Sequence, residues 1–556
     1  MRKLFIILIC CTIVGVAGYA GHRTYKVWKQ KHLLSMAREF YAKADAKNAQ
    51  LSLRQALAVN PMNVDANRLA AEVAQAARSP EALIWRSRVV ELNPKSTDDR
   101  LALAETAMIY HDYGVGTNAL EGVSAEGKKT AAYHNIAGAL AAAANQVAEA
   151  KAHFQEAIRL EPQNASLQLN LAVVEIHATN DPSAAEARAS LQRLSLNQTN
   201  ANLRCQALRE LVIDAARNKH NESALALSGE LLRQTNATFP DRLLRLEVLQ
   251  AAQSTEFKST MTAFEKEAST NSGRIYELAT WQESHGAVPD GLAWLQSLPP
   301  DIRTNQPVAL LVAEFHNFLK DWRGLQRALE HQDWQTSDFL RHAFLSRALR
   351  GQELTDSAKV EWEQALRAAS GQKMSRTMLV RLAASWGWQS ETEELLWTII
   401  NQYPSEKWAD QALTQILFAG GRTQSLLQLF SQELKRTPSD LAAKNNLAMI
   451  AMLLDAKELK PYDLAREVHE QAPTNSYFAA TYAYSLYLQG KKAEALKVMQ
   501  QLKPQDLDRP ATAGYYGIIL KATGDAANAK VYLDKTTKGA FLPEEKKLFA
   551  QARGGS

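Results

Sequence analysis

Residues 131–164 read AAYHNIAGALAAAANQVAEAKAHFQEAIRLEPQN, a stretch of 34 residues in which small and large apolar side chains recur at helical spacing. Gly138 and Ala150 stand 12 positions apart and are followed by Phe154, Ala157 and Pro162. That arrangement predicts two antiparallel helices joined by a short turn. Such helices approach most closely at one crossing point, where only Ala, Gly or Ser leaves room for both backbones, and larger residues fill the seam on either side. The proline then ends the second helix, because it cannot continue the hydrogen-bond ladder and disfavours helix at the residue before it.

The scheme recurs. Residues 30–63 (QKHLLSMAREFYAKADAKNAQLSLRQALAVNPMN) carry Ala37, Ala49, Leu53, Ala56 and Pro61, while Ala483 with Ala495 and Gly517 with Ala529 repeat the spacing of 12 near the other end. Pro61, Pro94 and Pro162 are separated by 33 and 68 residues, and Pro404, Pro438 and Pro473 by 34 and 35. A fixed period of this length marks stacked supersecondary units.

These segments resemble the tetratricopeptide repeat, with its two small residues, an aromatic or leucine, an alanine and a closing proline. The resemblance covers 30–63, 131–164 and roughly 407–540 well, and 64–130 and 165–200 more weakly. It implies an all-α, right-handed superhelical solenoid whose concave groove holds peptides or protein segments. The lysine–asparagine clamp that some members use for terminal carboxylates is not matched, since Leu34 and Arg38 stand at the corresponding positions of the first repeat.

The expected organisation is an N-terminal anchor and basic collar (1–32), an N-terminal array (33–200), a degenerate helical region (201–400), a C-terminal array (401–543) and a tail (544–556). Between 201 and 400 the 34-residue phase is lost to the eye, although hairpin patterns such as 338–370 persist, with Gly351 at a turn. This region holds most of the tryptophans, nine of 11 lying from Trp281 to Trp408. They suit either bulky filling of wider helix gaps or an aromatic-lined binding surface.

Charge separates the two ends. Arg2, Lys3, Arg23, Lys26, Lys29 and Lys31 lie in the first 32 residues, so the other 524 carry 58 basic against 59 acidic residues and the net +5 belongs to the N-terminal segment. A neutral body without basic runs is no footprint for nucleic acid. Residues 4–20 (LFIILICCTIVGVAGYA) are uncharged, with Leu4, Phe5, Ile6, Ile7, Leu8, Ile9, Val14 and Val16 as the apolar face of an expected single-pass anchor or signal peptide. The basic flank with Tyr25 and Trp28 favours an uncleaved anchor in the membrane. The body is then expected on the extracytoplasmic (periplasmic) side, with a cytoplasm-facing adaptor as the alternative.

Chemistry-bearing motifs are weak. Gly122–Lys129 (GVSAEGKK) departs from a phosphate loop by Lys129 in the place of the metal-binding hydroxyl, and no strand pattern precedes it. Gly114-Val-Gly116-Thr-Asn-Ala119 follows a helical stretch too, and reads as an inter-helix turn rather than a dinucleotide fingerprint. His469-Glu470 lacks a second histidine one turn later, and Cys205, alone in the body, reads as a buried apolar side chain. No cofactor, metal or catalytic residue is expected, although an enzyme hidden in the middle region is the outlying alternative. The expected function is a non-catalytic scaffold that binds other proteins or peptides. Its candidate groove residues, placed by the repeat frame, are Asn445, Met449, Met452, Tyr477, Tyr484 and Tyr487.

Overall fold

Thr130 opens the hairpin that decided the fold: its hydroxyl accepts from the Tyr133 amide and satisfies one of the orphan donors of the helix Ala131–Ala143. The chain then turns at Asn145, whose φ of 60° is left-handed, and re-enters helix at Val147–Leu160. Gln146 N–H bonds back to Ala141 C=O at 2.8 Å, which closes the end of the first helix in the Schellman manner. Pro162 follows the second helix by two residues. At the crossing, Ala150 is wholly buried, and a Cβ built on Gly138 would stand 3.0 Å from the Phe154 ring.

The computed structural model describes residues 24–178 and 183–554, and these are helical hairpins throughout, with no strand among the described residues. Most helices pack on their neighbours in sequence, as expected of stacked repeats. The chain groups into two compact units, Met1–Trp281 and Gln282–Ser556, which divide inside the 201–400 region.

The left-handed turn residue keeps the period. In the first unit it falls at Ala44, Arg78, His111 and Asn145, spaced 34, 33 and 34, and again at Lys219 and Gln253, spaced 34. In the second it falls at Gly286, Lys320, Glu353, Gly387, Gly421, Asp455, Gly490 and Gly524, spaced 34, 33, 34, 34, 34, 35 and 34. The expectation that the phase lapses between 201 and 400 is therefore corrected. The repeat continues there, with four of its six turns built on Lys219, Gln253, Lys320 and Glu353 rather than on the glycine found at Gly286 and Gly387. The crossings persist as well. Ser346 and Ala358, 12 apart and both fully buried, touch through a 2.7 Å bond from the Ser346 hydroxyl to Ala358 C=O.

Within the first unit, ion pairs stitch successive first helices together. Arg68 on Val64–Ala76 grips Asp99 on Thr97–Ile109 at 2.7 and 2.6 Å. Arg209 on Ala201–Arg217 grips Asp241 on Phe239–Ala251 at 2.6 and 3.0 Å. Such paired, planar contacts fix orientation as well as adding energy.

The expected single-pass membrane location is corrected. Among the described residues no helix is long and apolar enough to cross a membrane. The residues assigned to that anchor, Leu4, Phe5, Ile6, Ile7, Leu8, Ile9, Val14 and Val16, lie outside the described residues.

Candidate functional site

The tryptophan-rich stretch resolves into packing. Trp294, Trp334, Trp362 and Trp388 are buried, and Trp362 meets Trp388 edge-on at 5.3 Å. Arg347 lies over the rings of Trp322, Trp386 and Trp388 at 5.3, 5.5 and 5.8 Å, and Arg350 over Trp388 at 3.8 Å. The rings and guanidinium planes fill the seams between hairpins, so no open aromatic platform is left at these residues.

The weak motifs resolve too. Gly114 and Gly116 lie inside the helix Tyr113–Glu121 and not in a turn, a correction that follows from Asp112 capping that helix through the Val115 amide. Gly116 is buried, and a Cβ there would press on Leu140 at 3.1 Å. Lys128 bonds to Glu121 C=O, and no strand precedes the loop. Cys205 packs with Leu208 and Leu231. His469 stacks on Tyr482 at 4.9 Å. No group of three or more His, Cys, Asp or Glu among the described residues is arranged to hold a metal.

The second unit brings a set of groove candidates together. First helices of successive hairpins run at Lys407–Ala419, Leu441–Leu453, Ser476–Leu488 and Pro510–Ala522, and the terminal helix at Pro543–Gly554. Each contributes to one cavity of about 240 Å³, lined by Phe418, Asn445, Met449, Tyr477, Thr512 and Glu545 among others. Tyr477 stands 54% exposed at the rim, with the Arg509 guanidinium 5.5 Å from its ring centre. Arg509 is itself held by Asp506 at 2.9 Å.

Two buried polar atoms in this lining lack a partner, Asn445 Oδ1 and Thr512 Oγ1, on residues 7% and 1% exposed. Buried polar atoms are paired in the great majority of cases, so these two are exceptions, each on a residue of the lining but itself closed to solvent. Beside them, Glu545 is buried without an ion-pair partner among the described residues and accepts from Tyr515 O–H at 2.7 Å and Leu542 N–H at 3.0 Å. Burial pushes its carboxyl above the ordinary value, against those two hydrogen bonds, which hold it down.

The other groove candidates turn inward. Tyr484 is 4% exposed and sits 4.8 Å from the Tyr515 ring, and Met452 joins them in a cluster with Phe541 and Phe549. Tyr487 stacks on Tyr484 at 6.2 Å and is half-buried against the same cluster. The frame read from sequence gave all six residues one face. The helix that follows covers Met452 and Tyr484, which is the correction the geometry makes. Thr512, Phe541 and Glu545 were missed because a lone threonine and glutamate carry no pattern. Only their place in the successive-helix frame could have flagged them.

No family model and no curated protein matches the sequence. Among solved structures the chain is similar to a tetratricopeptide repeat protein from Parabacteroides merdae, at 17% identity over 46% of this chain and 99% of that one, with a TM-score of 0.39. It is similar to PilF of Pseudomonas aeruginosa at 15% identity over 40% of this chain and 98% of that one, with a TM-score of 0.31. The Cut9–Hcn1 hetero-tetramer of the APC/C aligns at 11% identity over 95% and 98%, with a TM-score of 0.28. At such scores the fold assignment stands on this chain's own hairpins, their period and their crossings.

Proposed function

We propose that this chain, whose helical hairpins are of the tetratricopeptide-repeat type, is a non-catalytic scaffold that captures a segment of another protein on the first helices of its C-terminal hairpins. The observation that carries the reading is the cavity lined by four successive first helices, with the exposed ring of Tyr477 at its rim. The exposed ring of Tyr477 at the rim supplies the kind of aromatic anchor that dominates small interfaces. Of the six residues placed on the groove by sequence, the reading keeps Asn445, Met449 and Tyr477 as contacts and makes Met452, Tyr484 and Tyr487 their support.

Selection of a random heptapeptide display library on the immobilised full chain tests the reading. Recovery of peptides that bind the intact chain and lose affinity to the Asn445→Leu variant is the expected result. Peptides that bind both equally, or no recovery at all, would contradict it.

A further inference from the structure

The helix face that carries Tyr477 continues past the cavity. This step rests on the peptide-capture reading and extends it to the course and charge of the captured segment. Tyr477 is the second residue of its helix, and Met374 and Trp408 are the second residues of the first helices Lys373–Ser385 and Lys407–Ala419. Each stands 13 positions before its left-handed turn residue, Gly490, Gly387 and Gly421. The three side chains are 54%, 71% and 36% exposed, and no other place in the repeat collects three of the exposed large apolar residues of the second unit. Ala442 holds the same place between Trp408 and Tyr477 and adds no bulk to the line. We infer that the captured segment runs on from the cavity as an extended stretch across Trp408 and Met374, and that it carries acidic side chains where it passes Arg381 and Arg347.

The charge follows from two cations without partners. Arg381 lies seven residues after Met374, two turns along the same helix face, and Arg347 holds the equivalent place one hairpin earlier. Met449, a lining residue of the cavity, holds that place two hairpins after Arg381. Arg381 is exposed and makes no hydrogen bond, ion pair or ring contact among the described residues. Arg347 is half-buried over Trp322, Trp386 and Trp388, and no carboxylate pairs with it among the described residues. Its Nε donates to Asn317 Oδ1 at 3.4 Å, while both Nη atoms are unbonded and open to solvent. Burial, and Arg350 beside it, lower its pKa from the usual guanidinium value, so the charge is held there at a cost. The cations around them are matched, Arg350 with Glu391 and Lys373 with Glu406. Carboxylates of a bound segment would supply the missing partners, and basic side chains would be repelled.

Trp408 is positioned in advance. Its Nε1–H donates to Glu406 at 2.9 Å, which fixes the ring and spares a binding event part of the cost of ordering it. At about 8–10 Å per packed helix, the four hairpin steps from Tyr477 to Arg347 span on the order of 35 Å, or about 11 residues of extended chain.

A random dodecapeptide display library selected on the immobilised full chain tests this. Recovered peptides should carry Asp or Glu toward one end and apolar residues over the remainder. One such peptide, and its copy with Asn and Gln in place of the acids, is then titrated against the intact chain and against Arg381→Gln. Arg381 is exposed and unbonded, so its substitution leaves the fold intact. Neutralising the acids should cost about three- to fivefold on the intact chain, the size of a partly exposed ion pair, and nothing on Arg381→Gln. Arg381→Glu should weaken the acidic peptide further, and Trp408→Ala should weaken both peptides. Recovered peptides without an acidic preference, or equal losses for the acidic and neutralised peptides on Arg381→Gln, would overturn the inference. Peptide capture stands in that case if the same peptides lose affinity on Asn445→Leu. Binding of a short single-stranded oligonucleotide, or self-association of the chain, that Arg381→Gln abolishes would give the surface to another occupant and overturn the inference as well. Recovery of no peptide from either library would overturn both.

Discussion

The rings of Tyr484 and Tyr515 lie 4.8 Å apart at 48°, on the first helices of consecutive hairpins, and Tyr515 also lines the C-terminal cavity. Tyr515 continues the chain of contacts to Phe549 at 5.3 Å and to Glu545 through its hydroxyl at 2.7 Å. Tyr484→Ala should therefore lower stability by about 3 kcal/mol or more, as for other large aromatic truncations in a core. Urea unfolding of the variant measures this, and a midpoint within error of the parent would place Tyr484 on the surface instead.

Crossings should resist larger residues. A Cβ on Gly517 would stand 2.7 Å from Leu533 and 3.1 Å from Ala529 C=O, the second of which is backbone and cannot swing away. Gly517→Leu is expected to destabilise by about 3 kcal/mol, and Gly138→Leu, where the three atoms nearest a Cβ all belong to the Phe154 ring, by about 1–3 kcal/mol. The two midpoints measured side by side, with the first lower, would bear out the contact order.

The turns carry a correctable strain. Glu353 holds a φ of 65° at a position that Gly387 and Gly421 fill in the next two repeats. Glu353→Gly should stabilise by roughly 0.5–1 kcal/mol, because the left-handed conformation costs an L side chain and not glycine. The converse change, Gly490→Ala, meets no atom within 4 Å yet should destabilise by a similar amount through its φ of 80° alone. Thermal melts of both read the sign directly.

Much of this was legible in the residues. Gly138 with Ala150, Ala483 with Ala495 and Gly517 with Ala529 mark their crossings by size alone, and Pro61, Pro94, Pro162, Pro404, Pro438 and Pro473 each fall just after a helix end. The middle repeats were not legible. There Lys219, Gln253, Lys320 and Glu353 occupy left-handed turns that sequence propensity assigns to glycine or asparagine, and the stacked hairpins impose the conformation. The groove was half legible for a related reason. Helical spacing puts Tyr477 and Tyr484 on one face, but only the packing of the next hairpin decides that Tyr477 stays at the rim while Tyr484 is covered.

Glu314 makes stability depend on pH in an unusual direction. Burial first, and the neighbouring Glu283 second, push its carboxyl from 4.5 up to about 7. The folded state then binds the proton more tightly than the unfolded state, so stability falls as pH rises from 4.5 through 7. The loss at pH 8 from this group is on the order of 3 kcal/mol. Glu314→Gln should recover most of it at pH 8 and change little at pH 5. Equal effects at both values would remove Glu314 as the source.

Capture of a protein segment in the cavity bounded by Asn445, Tyr477 and Thr512 is read most directly at Tyr477. Its ring is 54% exposed and outside the buried aromatic cluster, so its removal tests contact without removing core. The affinity of a library-selected peptide and the melting temperature are measured together on Tyr477→Ala. Affinity should weaken about 30-fold, equivalent to about 2 kcal/mol, with the melting temperature close to that of the parent. Unchanged affinity in a variant that melts like the parent would contradict it.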